Sequence, residues 1–550
     1  MIYHILVNYE WEQAKDSGSY QPISLDWEGF IHFSTFDQVI STANRFYRGQ
    51  TDLLLLEVDE TKLSGKLKYE ASDDNTSELF PHYYGELPVG AVLHIWDFPP
   101  NRDGRFSLPR ELVALRLPEI VNLLIDSAIE AVSPVPMIHN SFNLTGDMLT
   151  IDDVPFNLSD YEKIQLLALG KAAQGMAAGV SKYLGERINN GLVITKHRDD
   201  TLQLPDQFEV ALGDHPVPGE RSLECGRKAL EFVSSAGEKN LILFLISGGG
   251  SSLMTLPEEG ISFADYRTAS RLLLESGATI HEFNTIRKHI DQVKGGKLAK
   301  KAFPAKIVTC ILSDVIGNDP DVIASGPTVA DTTTFSQCLE ILDKYHLANA
   351  MPSSITAFLK NGAEIETSAE KSDDEIAHAN PVILLGDNRK AAEASLQKAE
   401  SLGFAASIIT NSLAGEASVV GKQLASELMQ PVTYNPEVLI YGGETTVSIQ
   451  DHVGLGGRNL ETALAGVKPL AGKKNLALIT FATDGEDGPT DAAGAIVTAE
   501  TATKADEQGL DPAIYLQNHD SYHFFEMIHG LIKTGPSGTN VNDLLFILKY

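Results

Sequence analysis

The sequence predicts an α/β protein: a doubly wound, mostly parallel sheet, a second and smaller α/β unit after it, and a small α+β domain in front. Three observations lead there. Residues 191–196, 241–246, 306–312 and 381–385 are short apolar runs with the length of strands buried on both faces. Helical stretches separate them, the alternation that builds parallel sheets. Glycine-rich polar segments follow several of the runs, where the carboxyl edge of such a sheet gathers ligands.

At 550 residues the chain exceeds what one core can organise, so about three domains are expected. A content of 43% hydrophobic and 21% charged residues describes an ordinary globular composition. The net charge of −31 argues against a general phosphate-backbone binder and so against nucleic acid. It leaves room for a small anion held by a few local cations. Cys225, Cys310 and Cys338, with no CxxC, suit neither a disulfide framework nor a thiolate metal site, which fits a reducing compartment. The start MIYHILVNYEWEQ lacks a secretory pattern, and no apolar run approaches the roughly 20 residues of a membrane span. The expectation is a cytoplasmic protein with no membrane partner.

Residues 1–112 are read as the α+β domain, with strand-like IYHILV, GFIHFST, DLLLLEVD and AVLHIWDF and a helix over 35–47. All three tryptophans (Trp11, Trp27 and Trp96) lie here, and residues 99–109 read as a turn-rich linker. His4, His32, Ser34, Thr35, His82, Tyr83 and Tyr84 form a polar constellation that spacing alone would assign to packing. The segments IYHI, GFIHFST, ANRFYRGQ and LFPHYYGELP resemble a small bacterial domain family with an ADP-ribosyltransferase-like fold. That resemblance implies a nucleotide-binding cleft near His4, His32, Ser34 and His82, without an established reaction.

Residues 113–430 are assigned to the main domain and 431–550 to the second. A helix over 111–131 leads in, residues 165–170 are short and apolar, and Lys171 opens a small-residue helix. Residues 360–378 read as a polar excursion. In the second unit, strands at 438–441 and 476–482 precede GGETTVSI and TDGEDGPTDAAG.

The chemistry-bearing candidates cluster in these loops. Ser247, Gly248, Gly249, Gly250, Ser251 and Ser252 follow a strand, so they form either a packing turn or an anion site of free amides and hydroxyls. Lys171 can set an ammonium beside such amides, or simply be solvated. His215 sits in the proline-stiffened HPVP loop and reads either as a ligand contact or, more simply, as a loop histidine. Arg287, Lys288, His289, Lys294 and Lys297 make a local positive patch, though helical spacing forbids all of them sharing one face. Asp314 ends a strand near Asp319 and Asp321, suited to Mg²⁺ or a proton. Ser325 and Thr328 lie in another donor-rich turn. Glu444 follows a glycine pair, and Arg458 in GLGGRN can clamp a phosphoryl or carboxylate group. Asp484, Asp487 and Asp491 gather acid in one loop, and Thr534, Thr539 and Asn540 lie in a late glycine and hydroxyl loop. Together these are the parts of phosphoryl transfer. The chain has no GxxxxGK[ST], and no dinucleotide fingerprint after a first strand.

The segments LGKAAQGMA, DHPVPGERS, LISGGGSSLM, FNTIRKHIDQVKGGKLA, LSDVIGNDPDVIASGPT, YGGETTVSI, GLGGRNLETAL, ATDGEDGPTDAAGA and TGPSGTNVNDLL resemble, in order, the glycerate 2-kinases that carry a C-terminal MOFRL domain. The resemblance spans about residues 120–550. It implies a Rossmann-like kinase domain, ATP and Mg²⁺ as cofactors, and phosphorylation of D-glycerate at its 2-hydroxyl in a cleft between domains. The family's catalytic lysine and arginine fall on Lys171 and Arg458. The amides and hydroxyls of the 247–252, 325–328 and 534–539 loops would cradle ATP. Asp314 with Asp484, Asp487 or Asp491 would hold the metal or orient the hydroxyl. A homodimer is a further expectation. Gly219-Glu220 and Asn318 depart from residues common in the family. Two alternatives stay open: a hydroxypyruvate reductase, for which no nicotinamide site is visible, and a non-catalytic sugar-acid sensor.

Overall fold

The structure is a computed structural model that describes residues 1–72, 75–366, 380–428, 436–449 and 454–550. The fold is an α/β protein built on a parallel six-stranded sheet, a mixed C-terminal sheet and a small β-rich N-terminal unit.

The first sheet runs, edge to edge, Phe208–Leu212, Ile188–Thr195, Lys163–Leu169, Asn240–Ile246, Lys306–Leu312 and Val382–Gly386, and every pairing is parallel. The first strand in chain order, Lys163–Leu169, lies in the middle, and the chain winds outward from it both ways. The crevice between Lys163–Leu169 and Asn240–Ile246 is therefore the switch point, where an open α/β sheet leaves room for a ligand. Burial explains why the apolar runs were legible: Leu241 to Ile246 are each at most 1% exposed. Each such side chain contributes about 1.5–3 kcal/mol by leaving water.

The second sheet runs Ala405–Glu416, Glu437–Thr446, Asp543–Lys549, Leu476–Ala482, Gly494–Thr498 and Leu531–Ile532. Its first pair is parallel and the rest antiparallel. Ala405–Glu416 belongs to this sheet, so the second unit begins ahead of residue 431, the boundary expected from the sequence. The helix Asn388–Ser401 bridges the two sheets, and Ser395 Oγ donates to the Leu124 carbonyl at 2.9 Å. Alternating polar residues over 405–416 hid a half-exposed strand that continuous apolar runs do not resemble. The expected strand at 438–441 is longer, and Gly442, Gly443 and Glu444 lie within it rather than after it.

The expected helix over 111–131 is two helices, Arg110–Leu115 and Leu117–Val132, and the second packs its apolar side into the shared core. Residues 99–109 are not a free linker. Phe98 and Phe106 are each 1% exposed with ring centroids 4.8 Å apart, and the Phe106 amide donates to Asn44. The N-terminal unit is anchored further by buried Glu57, which accepts from Arg116, from Tyr3 at 2.8 Å and from His94 at 2.7 Å. Burial alone would raise its carboxyl, but these three donors hold it below the usual range. Of the 360–378 excursion, residues 360–366 end the helix Ser353–Glu366, and 367–379 lie outside the described residues.

No single helix among the described residues is long and apolar enough to cross a membrane. Leu117–Val132 and Pro134–Ser141 pass that test only as a pair bent by 63°.

Candidate active site

The site is assembled at the switch point. Lys163–Leu169 ends, Gly170 turns, and Lys171 stands exposed before the helix Ala173–Leu184. The Lys171 amide donates to the Gly248 carbonyl at 2.9 Å, which fixes its backbone against the neighbouring loop. Its side chain has no hydrogen-bond or ion-pair partner among the described residues. Across from it, the amides of Gly248, Gly249, Gly250 and Ser251 also donate to no described residue. Four free donors in a row beside a free ammonium make an anion-stabilising corner.

Two glycines are required for this approach. A Cβ on Gly248 would lie 1.9 Å from an oxygen of Asp314, and one on Gly249 would lie 3.1 Å from the His215 ring. Gly249 also has φ of 82°, the left-handed region. Asp314 follows Lys306–Leu312 at the same carboxyl edge. Burial raises its carboxyl, the nearby Lys171 opposes that, and Glu444 of the second sheet adds to it. Asp314 therefore senses groups from both units. The same burial, with the charges of Lys171 and Lys196, pushes His215 down to about 4, so the imidazole is neutral at physiological pH.

The second unit presents Arg458 at the start of the helix Arg458–Leu470. Its guanidinium is already engaged: it donates to Asp543 at 2.5 and 3.0 Å and to Glu444 at 2.7 Å. Burial would lower its pKa, but the Asp543 hydrogen bond and the two carboxylate charges outweigh this and raise it. Asn388, right after the first sheet's last strand, donates to the Val541 and Asp543 carbonyls, both at 2.9 Å, and so stitches this group to the first unit.

Several residues expected to touch ligand are occupied elsewhere. Ser247 Oγ accepts from the Ala172 amide, and Ser252 Oγ donates to the Gly249 carbonyl, so both hydroxyls serve loop geometry. Ser251 and Ser325 bond each other at 2.8 Å, and Ser325 also donates to Asn284. Ala324 and Ser325 have φ of 52° and 61°, strain that the packed turn sustains. Thr328 is fully buried against Thr309, and Thr539 donates to the Val132 carbonyl at 2.7 Å. Thr534 is exposed and donates to the Gly535 carbonyl, while Asn540 accepts from the Asn542 amide. Arg287 lies over the Phe283 ring at 4.0 Å, with long hydrogen bonds to Asn284 and Ser325, and burial lowers its pKa.

Lys294 is fully buried and donates to the Ser251 and Met254 carbonyls at 3.0 and 2.6 Å. Burial pushes it down to about 8, and Asp291 opposes that. It clamps the glycine loop from behind instead of meeting substrate. Lys294→Met is therefore expected to cost about 3 kcal/mol by leaving buried acceptors and Asp291 underpaired. A lowered thermal midpoint, with turnover falling alongside, is the readout.

The acids divide in the same way. Asp487 is 1% exposed and accepts from the Asn459 and Leu460 amides, capping the Arg458 helix; burial pushes it up to about 7. Asp491 is tied at the surface to Tyr522 and Lys533. Asp321 pairs with buried Lys288. Asp484 is half-buried and uses one oxygen on the Glu486 amide, which leaves the other free. Among the described residues no group of three or more His, Cys, Asp or Glu forms a metal cage. A Mg²⁺ carried in by phosphates needs only one or two carboxylates rather than such a cage.

These features place the chain among known proteins. A profile described as a domain of unknown function, DUF4147, matches residues 120–360, the MOFRL family profile matches 437–543, and a profile described as a protein of unknown function, DUF952, matches 5–95. A D-glycerate 2-kinase of Thermotoga maritima is 42% identical over 390 residues, covering 70% of this chain and 90% of the relative. The chain belongs to the glycerate 2-kinase family. A glycerate 2-kinase of Pyrococcus horikoshii is 38% identical over 444 residues, covering 80% and 98%. The crystal structure of a Thermotoga maritima glycerate kinase aligns with a TM-score of 0.70 at 37% identity, covering 79% of this chain and all of that one. Lys171 falls within the DUF4147 match and Arg458 within the MOFRL match.

Three features beside the candidate site carried little signal in the sequence. His215 reads in the sequence as a ligand contact or, more simply, a loop histidine, and the structure sets its ring against Gly249. Asp543, the partner of Arg458, opens a buried apolar strand, where an acid with no sequence neighbour to pair it was the available signal. Lys196 and Arg198 follow a strand directly in KHRDD, a cationic cluster at a carboxyl edge.

Proposed function

We infer that this chain phosphorylates D-glycerate at its 2-hydroxyl with ATP, giving 2-phospho-D-glycerate and ADP. The observation that supports it best is the convergence of Lys171, the four free amides at Gly248–Ser251 and Asp314 at the switch point, with Glu444 and Arg458 facing from the second unit. The amides and Lys171 stabilise charge on the phosphoryl group in flight. The 2-hydroxyl oxygen attacks the γ-phosphorus, the bond to the β–γ bridging oxygen breaks, and ADP leaves with that electron pair. Asp314 accepts the hydroxyl proton, a task suited to a carboxyl raised by burial. Arg458 holds the glycerate carboxylate, exchanging its contact with Glu444 for the substrate while Asp543 keeps it oriented. Asp484 would hold Mg²⁺ together with the ATP phosphates, and the metal would neutralise phosphate charge, which leaves Asp314 free as the base. Closure of the two units over the substrates would limit attack by water.

The test incubates the protein with D-glycerate, ATP and Mg²⁺ and follows ADP release, with the phosphate position assigned by phosphorus NMR. Hydroxypyruvate-dependent oxidation of NADH or NADPH would favour the reductase instead, and glycerate binding without ADP release would favour the sensor. The N-terminal unit is read as ADP-ribosyltransferase-like on its His4, His32, Ser34 and His82 segments, and the protein as cytoplasmic and homodimeric. Light scattering at twice the 59.6 kDa chain mass is the expected result for the dimer.

A further inference from the structure

We propose that the adenine nucleotide lies in a basic pocket on the outer side of Lys171, with its phosphates held by Lys196 and Arg267; the proposal rests on the kinase reading above. The pocket holds about 870 Å³ and is lined by the segments that follow two neighbouring strands, Ile188–Thr195 and Phe208–Leu212, together with Arg267 of the helix Phe263–Glu275. It is contiguous with the catalytic corner, because His215 lines it and also packs on Gly249 beside Lys171.

Charge, size and surface each point to a nucleotide. Lys196 and Arg267 have no hydrogen-bond or ion-pair partner among the described residues, whereas Arg221 is held by Asp214 at 2.6 Å and Arg198 by Asp200 at 3.1 Å. Free cations gathered in one concavity of a chain with net charge −31 make a local field for a polyanion. The volume falls in the range of pockets that enclose a ligand well above the size of a three-carbon acid. Leu212 and Val217, 37% and 55% exposed, give an apolar wall against which a purine can lie. Glu220, a carboxylate on the rim, can accept from ribose hydroxyls. In this arrangement the γ-phosphate reaches the free amides at Gly248–Ser251 from the pocket side, and glycerate approaches from the Glu444–Arg458 side.

The experiment uses the full chain and Lys196→Ala, Arg267→Ala and the double variant. Both side chains lie at the surface of the pocket, so unchanged thermal unfolding without nucleotide verifies the fold, and Arg267→Gln serves as the gentler second variant. The KM for ATP is expected to rise about tenfold or more in the double variant, as for lost charge-assisted contacts. The KM for D-glycerate should stay within about twofold. Direct titration with mant-ATP should weaken in parallel. Wild-type mant-ATP affinity in the double variant overturns the proposal even if glycerate is phosphorylated, and so does a rise in the KM for glycerate alone. A wild-type protein that binds mant-ATP through Lys196 and Arg267 without phosphorylating glycerate would retain this pocket and reject the kinase reading.

Discussion

Lys171→Ala is expected to lower kcat/KM by at least about 100-fold while leaving the thermal midpoint unchanged. The side chain is exposed and has no hydrogen-bond or ion-pair partner among the described residues, so its removal breaks no bond; Asp314 loses a nearby cation but can take up a proton in its place. What is lost is a cation fixed by its own backbone amide 2.9 Å from the Gly248 carbonyl, beside four unused donors. Because that charge matters most when the phosphoryl group is in transit, kcat should fall more than the KM for ATP rises. Lys171→Arg should recover little, since a planar guanidinium does not reproduce a compact ammonium at this spacing. Near-normal turnover in Lys171→Ala would refute the role.

Arg458→Ala is expected to do two things, with a stability loss of about 3–5 kcal/mol as the larger structural effect. Asp543 is 1% exposed and directs both oxygens at Arg458, so the truncation leaves a buried carboxylate unpaired. Burial already raises the Asp543 carboxyl. Without Arg458 the folded variant binds a proton that the unfolded chain, with a carboxyl near its ordinary value of about 3.9, gives up. The deficit should therefore widen as pH rises above the ordinary carboxylate value and narrow on acidification towards it, as thermal melting across pH would record. Activity should be lost as well. The double variant Arg458→Ala with Asp543→Asn separates the two roles: stability returns and turnover does not. If turnover returned with stability, Arg458 would be a structural residue only.

Much of this architecture was legible because burial on both faces leaves a strong sequence signal. The runs at 241–246 and 306–312 became strands with bounds shifted by at most one residue, since unbroken apolar stretches have few other uses. Lys171 and Asp314 were legible as candidates because each lies two residues past the end of such a strand. Ala405–Glu416 was missed for the opposite reason: a half-exposed strand alternates polar and apolar residues and resembles a surface segment. The hydroxyls of Ser247, Ser252, Ser325, Thr328 and Thr539 were legible as donors but not as donors already in use. Their acceptors lie as far as 407 residues away in sequence, as for Thr539 and Val132.

The amino-acid sequence alone determined the α/β class, the parallel sheet and the family, because hydrophobic periodicity and ordered glycine motifs are properties of local chain segments. Tertiary structure decided which of the candidate charges are free. Lys294 and Arg458 both read as available cations in the sequence. The fold buries one behind the glycine loop and binds the other to Asp543 and Glu444, while Lys171, Lys196 and Arg267 face open space. Whether a charge can meet a substrate depends on which distant residues pack against it, and only the folded chain brings those together.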